Sequence, residues 1–387
     1  MQDISTPLEA ITGPQHLRTL GSAIAVAPGN SDEVAAVLGC AQKNHYAVVG
    51  LGGGTKQGWG NAVEPALILE THRLNALREH TWQDMTCVVE AGCTWGSMQS
   101  ALAQHGQFVG LDPLWPERAT VGGIVATNDS GALRLRYGGL RDLIIGMTIV
   151  LADGTIAHTG GKVVKNVAGY DLHKLMIGAF GTLGIITSVN FRLHSIPPCT
   201  QTFSLSAPAA EPLGKLLLKL LHAQFSTVAI QLRGSGEGFA LDIQLASLPE
   251  VLVTQAAALE PMVRNEGDEV WHARQELMTR DLVCKGTLLP ADIARFAERV
   301  RGMGGESVTQ ATGIMMAGFP AVAAEQVPQL RRELEEASGS LVVVKQPAET
   351  KLDRWGTPPD SFPLMREIKR RFDPEGILNP GRFLGGI

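Results

Sequence analysis

Apolar residues in the first part of the chain fall into short runs separated by polar breaks. Three of these runs have the length of a short buried strand: 23–27, 46–49 and 67–69. Between the first two runs, Ser31 is a suitable N-cap, and Asp32 and Glu33 suit the first turn of a helix that reaches about Asn44. This order predicts a small α/β unit.

Strand patterns dominate the next stretch, with further strands predicted at 86–91, 144–151, 155–157 and 184–191. Thr94 is the expected N-cap of a helix whose Trp95, Met98 and Leu102 recur at helical spacing. Asp153-Gly154 is typical of a hairpin turn. The region up to residue 197 is therefore predicted to be rich in strands.

Pro197-Pro198 interrupts the pattern and predicts a boundary. Beyond it we predict strands at 201–205, 227–232, 239–245 and 341–344, and helices at 211–223, 249–266, 290–302, 321–337 and 362–372. Two strands for each helix favour an α+β fold. We predict domains over 1–197 and 198–345 and a C-terminal segment over 346–387, and the pattern indicates no internal repeat.

The first glycine-rich block, Gly-Leu-Gly-Gly-Gly at 50–54, directly follows a predicted strand. Glycines let the backbone turn sharply and direct its amides toward an anion. A Rossmann dinucleotide fold would begin a helix here, but Gly58, Gly60 and Pro65 disfavour one. The block is thus either a phosphate-binding loop of a different kind of flavin site or a plain tight turn.

The second glycine-rich block lies within 112–131. We expect Thr120 to offer a hydroxyl, Gly122 and Gly123 to expose their amides, and later residues of the block to repeat the pattern: Thr127, Asn128 and Gly131. Two donor-rich loops in one domain can hold a pyrophosphate from both sides. The alternative is a pair of structural turns.

Composition narrows the function classes. The net charge is −5 and dense basic runs are missing from the sequence, so we expect no nucleic-acid partner. The five cysteines form no Cys-x-x-Cys pair, which disfavours a disulfide framework or a cysteine-ligated iron–sulfur cluster. The sequence contains neither an 18-residue apolar run nor a signal-peptide pattern. We therefore expect no transmembrane segment and a cytoplasmic protein.

Several motifs, in this order and spacing, resemble those of flavoproteins with a p-cresol methylhydroxylase (PCMH)-type FAD-binding domain, the vanillyl-alcohol oxidase group. The matching segments are 52–55, 120–123, 137–138, 152–154, 165–172, 178–187 and 372–382. Within that group the likeness is to the FAD-binding subunits of bacterial glycolate-oxidising complexes. The resemblance implies a two-subdomain FAD domain over 1–197, an α+β, ferredoxin-like cap over 198–345, and a tail that returns to the FAD domain.

The resemblance also implies roles for individual residues. The pyrophosphate of FAD would be held by Gly52, Gly53, Gly54, Thr55, Thr120, Gly122 and Gly123. The flavin would be lined by Pro113, Thr127, Asn128 and Gly131. The backbone at Ile185 would meet one end of the cofactor, and Asn379 would approach the flavin ring. Covalent relatives have a histidine in the first loop, where this chain has Gly54 and Thr55, so FAD is expected to bind non-covalently.

The predicted cap departs from its catalytic relatives in one respect. They carry a His-x-Gly-Asp-Gly-Asn-x-His metal motif that this sequence lacks, so we expect no metal site. Trp271 and Arg274 resemble the relatives' Trp-x-x-Arg, and Lys285 follows as in the relatives. Arg274 and Lys285 would then grip a substrate carboxylate. The alternative for Arg274 is a salt bridge or a solvent-facing position.

Three functions follow from these expectations. The first is an FAD-binding subunit of a 2-hydroxy-acid (glycolate) oxidising complex, which relays electrons or supports a catalytic sister flavoprotein. Such a complex would need an iron–sulfur subunit and could place the chain at the periphery of the inner membrane. The second is a self-sufficient FAD-dependent dehydrogenase of a small 2-hydroxy acid such as D-lactate. The third is a non-catalytic assembly module.

Overall fold

The computed structural model describes residues 5–161 and 170–387. In these residues the α-helices are α1 (Ser5–Thr12), α2 (Ser31–Lys43), α3 (Trp95–Ala103), α4 (Val121–Thr127), α5 (Arg134–Tyr137), α6 (Leu140–Leu143), α7 (His173–Met176), α8 (Ala210–His222), α9 (Pro249–Ala257), α10 (Ala273–Glu276), α11 (Ile293–Gly302), α12 (Val327–Glu336) and α13 (Phe362–Phe372). None of the helices in the described residues combines the length and the apolarity that a membrane crossing requires.

The strands of the same residues are β1 (Leu17–Leu20), β2 (Ala23–Val26), β3 (Val48–Leu51), β4 (Leu67–Glu70), β5 (Leu77–Thr81), β6 (Thr86–Glu90), β7 (Gln107–Phe108), β8 (Ile144–Val150), β9 (Ile156–Gly160), β10 (Ile185–Arg192), β11 (His194–Ser195), β12 (Cys199–Ala207), β13 (Thr227–Ser235), β14 (Gly238–Ser247), β15 (Val263–Arg264), β16 (Leu282–Thr287), β17 (Glu306–Gln310), β18 (Ile314–Phe319) and β19 (Ser340–Lys345).

The chain forms two compact units. The first comprises Met1–Ser130, Gly139–Ser195 and Thr357–Ile387, and the second comprises Gly131–Gly138 and Ile196–Gly356. The predicted division differs in three places, of which the first is the boundary: it lies after Ser195 and not after Pro197. The segment Gly131–Gly138 joins the second unit because α5 contacts β13, and residues 346–356 stay with that unit because the amide of Val343 donates to the carbonyl of Arg354 at 2.8 Å.

The first unit contains a four-stranded sheet in the order β1-β2-β4-β3, with parallel pairing of β2 and β3 to β4. Helix α2 buries Val34, Val37 and Leu38 in the adjoining core. Its N-cap is Asn30, whose side chain accepts the amide of Glu33 at 2.8 Å. The predicted cap, Ser31, was therefore wrong by one residue, because Asn30 has the extended backbone that an N-cap needs.

A second sheet of the first unit is antiparallel, in the order β5-β6-β10-β8-β9. Strands β8 and β9 form the predicted hairpin, and Gly154 in its turn has a φ of +85°. Thr94 caps α3 as predicted and accepts the amide of Ser97 at 3.3 Å. Strand β10 begins at Ile185, directly after the loop at 178–184.

The second unit is built on one antiparallel sheet in the order β15-β12-β14-β13-β17-β18-β16-β19. Helices α8, α11 and α12 cover one face and bury Leu217, Phe296 and Leu330 against it. The sheet divides into two halves, β12–β15 and β16–β19. Along the chain, each half runs strand, helix, strand, strand, helix, strand. Within the sheet, the first strand of each half lies between the third and the fourth strands of that half. This ferredoxin-like unit therefore occurs twice. The expectation of no internal repeat was wrong.

One predicted helix of the second unit ends early. Helix α9 stops at Ala257, and Val263 and Arg264 of the predicted helix 249–266 form β15 instead. Pro261 explains the difference because proline removes an amide that a helix interior needs. Strands β16, β17 and β18 were not predicted. Met315 in β18 is fully buried, as expected of a core residue.

Candidate functional site

A cleft in the first unit opens where β3 ends. The open space inside it, including solvent at its mouth, is about 840 Å³. Most of its lining comes from four segments: the first glycine-rich loop at 50–57; Thr120, Gly122, Gly123, Ala126 and Thr127 from α4 and its cap; Met176, Ala179, Phe180, Gly181, Gly184, Ile185 and Ile186; and Asn379 and Arg382 from the tail. Thr71 and Ala91 complete it. Both glycine-rich blocks thus reach one cleft.

The first loop presents unused amides. The backbone N–H groups of Gly52, Gly53, Gly54 and Thr55 donate to no acceptor among the residues that the structure describes. Gly54 adopts a φ of +69°, a conformation that helps successive amides form an anion-binding concavity. These four amides can therefore bind an anionic ligand.

The second block uses its amides internally. The amide of Val121 donates to Cys93 at 2.9 Å, that of Gly122 to the carbonyl of Ala91 at 2.7 Å, and that of Gly123 to the Thr120 hydroxyl at 3.3 Å. The prediction that Gly122 and Gly123 expose their amides was therefore wrong. Thr120 is the N-cap of α4, and capping satisfies the first amides of a helix.

The two blocks lie against each other. A Cβ at Gly52 would overlap the hydroxyl of Thr120, and a Cβ at Gly53 would overlap the carbonyl oxygen of Arg118. Gly122 is confined in the same way, because its Cβ would lie 2.9 Å from that of Ala91. Glycine is therefore needed at these positions to let two backbone segments approach closely.

A buried ion pair joins the two glycine-rich segments beside the cleft, and one of its partners, Lys56, lines the cleft. Lys56 Nζ lies 3.2 Å from Asp129 Oδ2, and their side chains are 4% and 1% exposed. The same carboxylate oxygen accepts the amide of Leu114 at 2.8 Å. The Lys56 ammonium also lies over the rings of Trp115 and Trp59, 5.4 and 5.9 Å from their centroids. The sequence analysis did not select this pair, although Lys56 lies in the glycine-rich loop at 50–57.

The tail brings Asn379 to the cleft by extending the first sheet. Val48 in β3 donates its amide to Ile377 at 2.8 Å and accepts the amide of Asn379 at 2.8 Å. On the opposite side of the loop, a Cβ at Gly50 would lie 3.1 Å from Ile185 Cδ1. Ile185 and Asn379, two of the predicted site residues, therefore line the cleft.

Arg382 is a cleft residue that sequence reasoning did not select. Its guanidinium donates to the backbone and side-chain oxygens of Gln57 at 3.3 and 3.0 Å. Burial lowers the pKa of this guanidinium from its ordinary value. Four unused amides and a guanidinium form a donor set that fits the diphosphate of a dinucleotide.

Three of the predicted FAD-binding residues lie outside the cleft lining. Pro113 and Asn128 belong to the first unit but not to the cleft lining. Asn128 is the C-cap of α4 with a φ of +47°, and Gly178 packs beside it. Gly131 begins the short segment that joins the second unit. Of the motif at 165–172, residues 165–169 lie outside the described residues.

In the second unit, the two predicted carboxylate ligands lie on different elements. Arg274 in α10 is 8% exposed, while Lys285 is half-buried in β16 between Met316 of β18 and Val342 of β19. The adjacent His272 is exposed. Trp271 is anchored by a hydrogen bond of 3.2 Å from Nε1 to Thr202 Oγ1.

Family models match two parts of the chain. Residues 22–160 match the FAD binding domain, and residues 351–383 match the C-terminal domain of FAD linked oxidases. The first match contains the first glycine loop and Thr120, and the second contains Asn379 and Arg382. These matches confirm two predictions: the chain is an FAD-binding flavoprotein, and its cofactor is FAD.

Curated relatives differ in how much of the chain they match. The glycolate oxidase subunit GlcD of Bacillus subtilis is 36% identical over 46% of this chain, but the match spans only 38% of that protein. The D-lactate dehydrogenase of Archaeoglobus fulgidus is 29% identical over 93% of this chain and 90% of that protein.

A solved structure shows the fold. Substrate-bound p-cresol methylhydroxylase superposes with a TM-score of 0.75 at 17% identity, over 98% of this chain and 96% of that chain. The predicted α+β, PCMH-type fold is confirmed.

Proposed function

We propose that this chain, an FAD-linked oxidoreductase, oxidises small 2-hydroxy acids with FAD held in the cleft of the first unit. The observation that carries the proposal is the set of unused amides at 52–55 in the unit that matches the FAD-binding domain. Bound FAD would supply the two-electron acceptor for the oxidation. The substrate class is supported by relatives named for glycolate and D-lactate.

The residues of the cleft divide the binding of FAD between them. The amides of 52–55 and the Arg382 guanidinium would hold the diphosphate, because charge-assisted hydrogen bonds are the strong ones. Thr120, Gly122 and Gly123 would form the facing wall, and Thr127, Ile185 and Asn379 would contact the remaining parts of the cofactor. Binding would be non-covalent, so acid denaturation should release all flavin into the supernatant.

Arg274 and Lys285 would bind the substrate carboxylate. A guanidinium suits a carboxylate because it donates two parallel hydrogen bonds, and a buried arginine donates them in a weakly solvated environment. The resemblance of Trp271, Arg274 and Lys285 to the motif of catalytic relatives supports this assignment.

Anaerobic mixing of the purified flavin-loaded chain with each acid tests the proposal. Glycolate, D-lactate or D-2-hydroxyglutarate should bleach the visible absorbance of oxidised flavin, and L-lactate should do so more slowly. If dithionite reduces the flavin but none of the acids does, the isolated chain is not a 2-hydroxy-acid dehydrogenase.

Replacing Arg274 by Met tests the carboxylate site. Removing a hydrogen bond to a charged group costs about 1.5–3 kcal/mol, so KM should rise about 10- to 100-fold, and Lys285→Met should have a similar or smaller effect. Arg280→Met is the control, since Arg280 is exposed and pairs with Glu306. Equal KM values in all three variants would refute the assignment.

The finer proposal is that the chain acts as the FAD-binding subunit of a glycolate-oxidising complex with a sister flavoprotein and an iron–sulfur subunit. The missing metal motif and the GlcD relative support it. The near-complete alignment with a D-lactate dehydrogenase favours the second candidate, a self-sufficient enzyme. Turnover of the isolated chain with an artificial electron acceptor would favour the second, and activity restored only by co-purifying subunits would favour the first.

A further inference from the structure

Three successive residues of the loop at 178–184 are each held by one residue of the tail. The Phe180 ring packs on Phe383, with 5.8 Å between centroids. The Gly181 carbonyl accepts from Asn379 Nδ2 at 3.1 Å, and the Thr182 carbonyl accepts from Lys369 Nζ at 2.8 Å. All of these residues belong to the first unit.

This loop has a backbone that must be held in place. Gly178 and Gly181 have φ values of +78° and +70°, and Phe180 between them has a φ of +54°. A bulky residue in this left-handed region is unfavourable and persists when its surroundings impose it. Phe180 and Gly181 also line the cleft, so the strain lies at the wall that faces the cofactor.

Lys369 connects the loop at 178–184 to two parts of the tail through its ammonium group. Its ammonium donates to Thr182, to the Leu378 carbonyl at 2.9 Å and to Asp373 at 2.6 Å, which uses the three protons of a lysine. The Asp373 side chain is fully buried and also accepts the amides of Ile377 and Leu378 at 3.0 and 2.8 Å. One ammonium therefore ties α13, the loop and the segment that pairs with β3.

We propose that Lys369 is a positioning residue for FAD, which acts by holding the loop at 178–184 and the Asn379 segment in the shape that the cofactor meets. The loop at 178–184 is then already ordered before FAD binds. A preorganised site binds its ligand more tightly, because the protein loses less conformational freedom on binding. The inference rests on FAD binding and not on the identity of the substrate.

The test is titration of the apo form of the full chain with FAD, followed by flavin fluorescence, together with visible circular dichroism of the bound flavin. Lys369→Met keeps the length of the side chain and removes its charge. We expect the Kd of Lys369→Met for FAD to rise about tenfold or more, because this is the effect of losing hydrogen bonds that a charged group makes. We also expect the circular dichroism of the bound flavin to change. Lys369→Arg should recover part of the affinity.

The control is Arg370→Met on the next residue of α13, where the side chain is 72% exposed and pairs with Glu367. Its Kd should stay within about twofold of the parent value, as expected of a surface pair. Should Lys369→Met fail to fold, Phe383→Leu removes the ring contact with Phe180 and should raise Kd about threefold. A folded Lys369→Met chain with a lower melting temperature but unchanged Kd and dichroism would overturn the proposal.

Discussion

The amides at 52–55 have no acceptor among the described residues, whereas those at 121–123 donate to Cys93, Ala91 and the Thr120 hydroxyl. Both segments are rich in glycine and both line the same cleft. In the first loop glycine provides open donors and also space, since a Cβ at Gly52 or Gly53 would overlap the facing segment. In the second block the glycines provide only space, because their amides already donate within the protein.

The difference has a general physical basis. A loop that no helix follows leaves its amides for a ligand, while a block that starts a capped helix satisfies them within the protein. The two blocks therefore contribute unequally to anion binding, although their sequences suggest equal roles. Three variants test this comparison, from the largest expected effect to the smaller ones, and a fourth variant outside both segments has the smallest expected effect.

The largest effect is expected from Lys56→Met, because the ion pair with Asp129 joins the two segments. Breaking a buried pair leaves an uncompensated charge and costs about 3–5 kcal/mol. Chemical denaturation should show this loss in the free energy of unfolding. Lys215→Met, which removes an exposed pair with Glu211, should cost less than about 1 kcal/mol. Equal losses in both variants would mean that the buried pair does not join the segments energetically.

Gly53→Ala should weaken FAD binding by about tenfold or more, because the added Cβ meets the Arg118 carbonyl and forces the two segments apart. Gly58→Ala, one residue beyond the same loop, is the matched control, since its Cβ would meet no atom within 4 Å. Fluorescence titration with FAD measures both. If Gly53→Ala and Gly58→Ala bind FAD with equal affinity, the close approach of the two segments is not needed for FAD binding.

Thr120→Ala removes the cap of α4 and should cost about 1 kcal/mol of stability. Thr94→Ala removes the equivalent cap of α3, outside the cleft lining, and should cost about the same. FAD affinity should fall in Thr120→Ala alone, and by less than in Gly53→Ala. A larger loss of affinity in Thr120→Ala would reverse the ranking of the two segments.

The smallest effect concerns His173, a buried residue outside both segments. Burial lowers the pKa of its imidazole below the ordinary value of 6.5. As the pH falls through about 6.5, the unfolded chain binds the proton first, so the free energy of unfolding should decrease until the lowered folded pKa is reached. Urea denaturation at about pH 7.5 and about pH 5.5 measures this.

His173→Gln should remove that part of the pH dependence and leave the FAD affinity unchanged, because His173 is not among the residues that line the cleft. An unchanged pH dependence in the variant would assign the effect to other groups.

Local pattern was enough to predict many of the elements. The turn at Asp153-Gly154, the capped helix α3 and the terminal helix α13 follow from residues adjacent in sequence. The absence of a helix after the first glycine loop was also predictable, because Gly58, Gly60 and Pro65 disfavour one. The resemblance carried by the order of the motifs predicted FAD as the cofactor.

The second unit shows where local pattern fails. Its repeated strand order appears only once the strands are paired, and β16 to β18 carry no alternation strong enough to separate them from neighbouring helices. The sequence also did not predict the acceptors of the Gly122 and Gly123 amides, because the Ala91 carbonyl and the Thr120 hydroxyl reach these amides only in the folded chain.

The sequence by itself determined the short elements and the glycine-rich blocks, because turns and caps depend on neighbouring residues, and its motifs indicated FAD through their resemblance to a known family. The tertiary structure alone decided which amides stay available, that Lys56 pairs with Asp129, and that the tail holds the loop at 178–184. These features depend on burial and on contacts between distant segments, and local pattern does not encode which distant residues meet.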